Sequence, residues 1–162
     1  MKRFLKSKGI LIVIIILVVI LLLAFLFGRE KPVQIGELQS FRYDYNQGYM
    51  ANSNVWYTLE LKDGVYTAGV KPHNVPPEDE KSFTVTEDFA RDLEQILVDH
   101  EVGAWNGFDK VDKRVLDGNG FSLYITMTDG TSVDAHGYMR WPKNYTDVKA
   151  AVEALFHAHM PQ

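Results

Sequence analysis

Residues 55–71, VWYTLELKDGVYTAGVK, contain two runs of alternating apolar side chains separated by Asp63-Gly64. Strict alternation over such a run is typical of a β-strand with one buried face. A two-residue loop at Asp63-Gly64 would bring apolar residues together across the two strands. The expected pairs are Leu61 with Tyr66, Leu59 with Ala68, and Tyr57 with Val70. The sequence therefore predicts a β-hairpin with a type I′ turn, whose positive φ angles Asp-Gly tolerates.

A second hairpin is predicted in residues 121–135, FSLYITMTDGTSVDA, but with a longer loop. A two-residue Asp129-Gly130 loop would place Ile125 opposite Asp134 and mix core with solvent positions. A three-residue loop, Thr128-Asp129-Gly130, keeps apolar residues opposite each other and places glycine where a G1 bulge needs a left-handed residue. The expected pairs are then Ile125 with Val133 and Leu123 with Ala135.

The remaining elements extend this pattern to a whole domain. Alternation at Phe41, Tyr43 and Tyr45 predicts a strand before the first hairpin, and a short strand is expected at residues 82–85. Thr86 predicts the N-cap of a helix that ends near Gly103, and a last helix begins near Thr146. The order is β-β-β-(β)-α-β-β-α. This order predicts an α+β fold in which two helices cover one face of an antiparallel sheet.

The N-terminal part of the chain has a different composition. Ile10 to Phe27, ILIVIIILVVILLLAFLF, is an unbroken run of 18 apolar residues, long enough to predict a transmembrane helix at residues 10–28. Lys2, Arg3, Lys6 and Lys8 precede it without an acidic residue. The positive-inside rule then predicts a cytoplasmic tail at residues 1–9, a tether at residues 29–37, and an extracellular domain at residues 38–162.

Cleavage of this helix as a signal peptide is the alternative. The run is longer than the usual signal-peptide core, and Phe25, Leu26 and Phe27 stand where a peptidase needs small residues. The pattern favours an uncleaved single-pass anchor in the cell membrane, with the lipid bilayer as its first partner. The chain has no cysteine, which excludes lipoprotein processing and disulfide bonds.

The charge of the outer part excludes one class of partner. Residues 29–162 contain 13 Lys and Arg against 21 Asp and Glu, a net charge of −8. Nucleic acids bind to basic surfaces, so no nucleic-acid partner is expected.

Motifs for catalysis, metals and cofactors are not found in the sequence. His157 and His159 are two residues apart and point in different directions on a helix, so no zinc site is predicted. An EF-hand loop that starts at Asp117 would need glycine where Ser122 stands and glutamate where Thr128 stands. The acidic segment at residues 109–120 is therefore expected to be a solvated loop rather than a calcium site. Without a cysteine or a serine-nucleophile motif, we predict no catalytic residue and no cofactor, although paired carboxylates such as Glu60 and Asp134 stay open as an alternative.

Aromatic side chains are the candidate binding residues, because tyrosine and tryptophan combine apolar area with a polar tip. Trp56 alternates with the inward-facing Tyr57 and is expected to point away from the core. Tyr49, Trp105 and Trp141 complete the candidate set.

Several short motifs carry a resemblance to a known group of proteins: Trp105-Asn106-Gly107-Phe108, Val115-Leu116-Asp117-Gly118, Phe121-Ser122-Leu123, Asp129-Gly130 and Trp141-Pro142-Lys143-Asn144-Tyr145. Residues 41–156 resemble a group of small, uncharacterised membrane-anchored or lipoprotein-like extracytoplasmic proteins of Gram-positive bacteria. The resemblance implies a location at the bacterial cell surface and provides no catalytic residues. Where such proteins carry a lipid-attachment cysteine, this chain has its apolar helix.

These observations predict a membrane-tethered module that binds a protein or a cell-envelope component. A cell-envelope hydrolase that uses scattered Asp or Glu residues is the alternative. Two converging acids with raised pKa values in a concave pocket would favour the hydrolase, whereas an aromatic surface without such acids would favour binding.

Overall fold

The computed structural model describes residues 15–19, 31–48 and 53–161. Residues 15–19 are helical, whereas the rest of the predicted span 10–28 and the predicted tail 1–9 lie outside the described residues. Among the described residues, no helix combines the length and apolar character needed to cross a bilayer. Pro32–Gln162 forms a compact unit.

This unit is an α+β domain with one seven-stranded sheet. The strands are β1 (Leu38–Gln47), β2 (Val55–Lys62), β3 (Val65–Lys71), β4 (Lys81–Val85), β5 (Phe108–Val111), β6 (Asn119–Met127) and β7 (Ser132–Tyr138). The α-helices are α1 (Glu87–Asp99) and α2 (Tyr145–His159), and short 3-10 turns span Pro77–Asp79 and Val102–Trp105. The strand order is β4-β3-β2-β1-β6-β7-β5, so β4 and β5 form the two edges.

The predicted first hairpin is confirmed. Strands β2 and β3 pair in the expected register, with Leu59 opposite Ala68 and Tyr57 opposite Val70. Asp63 has φ 52° and Gly64 has φ 77°, which are the two positive φ values of a type I′ turn.

The second hairpin also has the predicted loop. Ile125 lies opposite Val133 across β6 and β7. The Gly130 N–H donates to the Met127 carbonyl at 2.9 Å, and the Met127 N–H donates to the Thr131 carbonyl at 2.9 Å. These two bonds enclose a three-residue loop in which Gly130 has φ 85°, as the G1 bulge requires.

The prediction of an entirely antiparallel sheet is wrong, because an additional strand, β5, pairs in parallel with β7. The sequence pattern placed residues 109–120 in a solvated loop. Strand β5 has only four residues, and Asp109 and Lys110 separate its two apolar residues, Phe108 and Val111. Its alternation is therefore too short to recognise, and an edge strand tolerates charged residues on both faces.

Helix α1 begins where it was predicted but ends earlier. The Thr86 hydroxyl accepts a hydrogen bond from the Phe89 N–H at 3.3 Å, and the helix buries Phe89 and Leu93. The helix ends at Asp99 rather than near Gly103, because Glu101 has the left-handed φ of 57° just after the C-cap.

Gly103 has a different role: because it has no side chain, the segment around Val33 can pass close to it. The Val33 N–H donates to the Gly103 carbonyl at 3.1 Å, and a Cβ at Gly103 would overlap the Val33 carbonyl oxygen. Val33 and Ile35 pack against the core. The folded unit therefore includes residues that the sequence pattern placed in the tether.

Both helices pack on one face of the sheet, and we call the other face the open face. The ring of Phe156 in α2 lies 6.2 Å from Phe41, 5.2 Å from Tyr57 and 5.0 Å from Phe89. Side-chain alternation sends Phe41 and Tyr43 of β1 into this core, and Arg42 towards the open face.

Candidate functional site

A groove lined by aromatic side chains lies between β5 and the connection from β7 to α2. Trp105, Phe108 and Trp141 line this groove, whose volume is about 270 Å³, and we call it the aromatic groove. Trp141 is 38% exposed and stacks on Tyr145 with ring centroids 4.5 Å apart. Trp105 is buried and directs its indole N–H to the Lys143 carbonyl at 3.0 Å. The groove thus has one buried and one accessible tryptophan.

The wall of the aromatic groove is held in an unusual backbone conformation. Met139 (φ 52°) and Asn144 (φ 63°) flank Trp141 in the chain, and Glu101 (φ 57°) lines the same groove. The Asn144 amide donates to the His100 carbonyl at 3.2 Å. Non-glycine residues with positive φ are uncommon, and they persist where the surrounding contacts hold them. The hydrogen bond from Asn144 attaches the segment just after Trp141 to the C-terminal end of α1.

The rim of the aromatic groove is basic. The Lys143 ammonium lies 2.7 Å from the Glu101 carboxylate, and this hydrogen bond lowers the pKa of Glu101. Lys110 is exposed on β5, and its ammonium lies 5.2 Å from the ring centroid of Phe108. Glu101 offsets one of the two ammonium groups, so the groove combines apolar rings with a positive charge in an otherwise acidic domain.

The open face carries a row of aligned side chains that crosses six strands. Each member lies directly opposite the next in the strand registers. The row consists of Lys71, Trp56, Asp44, Ser122, His136 and Asp109. Both α-helices of the described domain pack on the other face, and Asp109 and His136 at the β5 end of the row are at least partly exposed.

Trp56 points away from the helices, as its alternation predicts, but it is only 8% exposed. Its ring lies between two cations, with Arg42 Cζ at 5.1 Å and Lys71 Nζ at 5.3 Å from the ring centroid. Lys71 is buried and donates to the Asn54 carbonyl, and burial lowers the pKa of its ammonium. Within the described part of the chain, the Trp56 indole N–H has no hydrogen-bond partner.

A cleft of about 390 Å³ opens beside this row, and we call it the open-face cleft. Asp44, Ser122 and His136 form one side of it, and Val111 and Tyr138 reach it from the sheet edge. Gly120 lies opposite Tyr138 in the register, and the Tyr138 ring lies close to it, since a Cβ at residue 120 would be 3.5 Å from Tyr138 Cδ2. The lining offers hydrogen-bond donors and acceptors beside one aromatic ring.

Three polar residues in this region contact one another in series, through one hydrogen bond and one close nitrogen–oxygen contact. The Ser122 hydroxyl lies 3.1 Å from His136 Nδ1, and Asp134 Oδ1 lies 2.7 Å from His136 Nε2. These residue types also form nucleophile, base and orienting group in hydrolases. Ser122, however, lies in the middle of β6, and it is paired on one side with β1 and on the other with β7. The backbone N–H groups around it serve the sheet, so they are not available to stabilise an oxyanion.

Hydrogen bonds stabilise the ionised form of three carboxyl groups in the domain. The described carboxyl groups with shifted pKa values are Glu101, Asp112 and Asp129, and all three pKa values are lowered. Hydrogen bonds from Lys143, Arg114 and Thr131, respectively, are the main causes. A general acid needs a raised pKa, so none of these three carboxyl groups is prepared for that role.

The four candidate residues from the sequence do not form a single site. Trp105 and Trp141 line one groove, whereas Trp56 lies on the opposite face of the sheet, and Tyr49 is outside the described residues. Sequence reasoning missed Phe108 and Lys110, because β5 was not recognised. It also missed the contact between Ser122 and His136, although the predicted register of the second hairpin implies it.

No protein-family model matches the chain, and no curated protein matches its sequence.

Proposed function

We propose that this chain is a membrane-tethered, extracytoplasmic interaction module that uses the β5 end of its sheet to bind a protein or an envelope component. The observation that carries this proposal is the aromatic groove. Trp141 is accessible there, Trp105 lines the same groove, and Lys143 and Lys110 provide positive charge. Accessible aromatic side chains with a charged rim are typical of recognition surfaces.

The anchor belongs to the same proposal. The apolar run at residues 10–27 and the basic residues before it support a single-pass helix with a cytoplasmic N-terminus. The net charge of −8 on residues 29–162 keeps the domain soluble and repels nucleic acids. A surface-anchored domain meets its partners at the cell envelope, where crosslinking can capture them.

Binding is favoured over hydrolysis by the chemistry of the two recesses. The aromatic groove has one carboxylate, Glu101, whose pKa is lowered by Lys143. The open-face cleft contains Asp44, and the Ser122 hydroxyl beside it lies within a fully paired strand. Among the described lining residues, neither recess brings two carboxylates together, as glycoside hydrolysis requires.

Site-specific photocrosslinking in intact bacterial cells tests the proposal. Benzoylphenylalanine replaces Trp141 in the full chain, and the matched control carries it at Thr84, an exposed position on the opposite edge strand β4. Mass spectrometry then identifies peptide or glycan adducts. We expect a defined adduct at position 141 that is absent at position 84. Equal adducts at both positions, or none at position 141, would contradict a binding role for this groove.

A further inference from the structure

Strand β5 is one edge of the sheet, and among the described residues it pairs only with β7. The Asp112 N–H donates to the Tyr138 carbonyl at 2.9 Å, so residue 112 directs its backbone to β7. The backbone N–H and C=O groups of a strand point to alternate sides from one residue to the next. Those of Phe108 and Lys110 therefore point towards β7, whereas those of Asp109 and Val111 point outwards. Both of these residues are exposed, Val111 by 55%. An extended polypeptide has the matching donors and acceptors.

The two recesses lie on opposite sides of this edge. Phe108 and Lys110 of β5 line the aromatic groove on the helix side, and Val111 lines the open-face cleft. Side chains of a strand alternate between the two faces of a sheet. A strand added next to β5 would therefore place alternate side chains in the aromatic groove and the open-face cleft. The other edge, β4, borders neither recess.

The lining of each recess indicates which side chains fit. Trp141 and Phe108 provide apolar surface for an aliphatic or aromatic side chain, and Lys110 on the same face favours an acidic side chain two residues away. Ser122 and His136 in the open-face cleft offer hydrogen bonds to a polar side chain. A second copy of β5 fits less well, because its residues two apart, Phe108 and Lys110, would bring a basic rather than an acidic side chain next to Lys110.

We propose that β5 binds an extended, acidic peptide segment by strand addition, with an apolar side chain in the aromatic groove and its neighbour in the open-face cleft. This inference rests on the proposed function as a binding module and names the class of partner. It commits to main-chain pairing at Asp109 and Val111. Removal of one outward backbone N–H should therefore weaken peptide binding, which would not happen if only side chains made the contact.

The experiment uses the full-length chain in detergent micelles and a phage-displayed library of random dodecapeptides. Enriched peptides are synthesised and titrated against the wild type, Val111→Pro and Val111→Thr. Proline removes the outward N–H of residue 111 and leaves the bonds of β5 to β7 in place. Threonine is the matched control, because it is also β-branched and keeps the N–H. Thermal unfolding of each variant checks that the domain is folded.

We expect enriched peptides with an apolar residue and an acidic residue two positions apart. Val111→Pro should weaken binding by about tenfold or more, because a main-chain hydrogen bond is lost, and Val111→Thr should bind as the wild type. Amide exchange at Asp109 and Val111 should slow when the peptide is bound. Equal affinity of Val111→Pro and the wild type would overturn strand addition.

Two other results would also overturn this inference while leaving the proposed function intact. One is the absence of any enriched peptide in a library selection, combined with a specific crosslink at position 141 in cells. The other is a stable dimer of the full-length chain, seen by sedimentation and abolished by Val111→Pro, which would mean that a second copy occupies the edge.

Discussion

The hydroxyl oxygens of Tyr43 and Tyr145 lie 2.6 Å apart inside the core. Tyr43 belongs to β1, and Tyr145 is the first residue of α2. The ring of Tyr145 also stacks on Trp141 at 4.5 Å. This hydrogen bond therefore connects the centre of the sheet to the exposed tryptophan of the aromatic groove.

Removal of either hydroxyl should destabilise the domain, because the remaining one stays buried without its partner. We expect Tyr43→Phe and Tyr145→Phe each to lower the free energy of unfolding by about 1–2 kcal/mol. The double variant should lose less than the sum of the two, since neither hydroxyl is then left unpaired. Urea unfolding of residues 31–162 in a double-mutant cycle measures this coupling. Additive losses would show that the two hydroxyls do not interact.

The buried tyrosines of the core lead us to expect a loss of stability at alkaline pH. Burial is the main cause that raises the pKa of Tyr43, Tyr57 and Tyr145 above the ordinary value. The folded state thus favours the neutral phenol. The neutral phenol stabilises the fold fully at pH values below the pKa of tyrosine in the unfolded chain, which is about 10. This stabilisation decreases as the pH rises above that value. Unfolding free energies measured from about pH 8 to 12 should fall above about pH 10, less steeply in Tyr57→Phe.

The fold was predictable wherever alternation ran long enough to fix a face. The register of β6 and β7 follows from Leu123, Ile125 and their apolar partners, and it also places Ser122 opposite His136. Strand β5 was not predictable, because its four residues put Lys110 on the same face as Phe108, and its pairing depends on β7 in three dimensions. Distant contacts decide such short elements.

The candidate site was predictable in its residue types but not in its geometry. Alternation correctly predicted that Trp56 points away from the helices. Its burial by Arg42 and Lys71 was not predictable, because these side chains meet only when three strands lie side by side. Trp105 and Trp141 are 36 residues apart in the sequence, and they share a groove only because β5 and α2 bring their connections together.

The Ser122–His136–Asp134 chain predicts a negative result with a serine-directed probe. Ser122 lies within a paired strand, and its neighbours' N–H groups serve the sheet, so attack on a fluorophosphonate would lack oxyanion stabilisation. Intact-mass spectrometry after treatment of the full chain should show no adduct. A stoichiometric adduct that Ser122→Ala abolishes would contradict this prediction and indicate a serine hydrolase.

Gly103 and Gly64 should respond differently to alanine. A Cβ at Gly103 would overlap the Val33 carbonyl, whereas a Cβ at Gly64 would meet open space and be strained only by its φ of 77°. We expect Gly64→Ala to cost about 1–2 kcal/mol without other change. Gly103→Ala should cost about 1–3 kcal/mol and release residues 33–35. Amide hydrogen exchange should then rise at Val33 and Ile35 in Gly103→Ala only.

The predicted topology can be tested because the chain has no cysteine of its own. Single cysteines are introduced at Ser7, before the apolar run, and at Glu78, an exposed residue of the 3-10 turn Pro77–Asp79. Lys2, Arg3, Lys6 and Lys8 should keep the N-terminus in the cytoplasm, since basic flanks are retained there. A membrane-impermeant maleimide on intact cells should therefore label Glu78→Cys and leave Ser7→Cys unlabelled until the cells are permeabilised. Labelling of Ser7→Cys alone would reverse the orientation, and a soluble labelled fragment that starts near Arg29 would show that the helix is removed as a signal peptide.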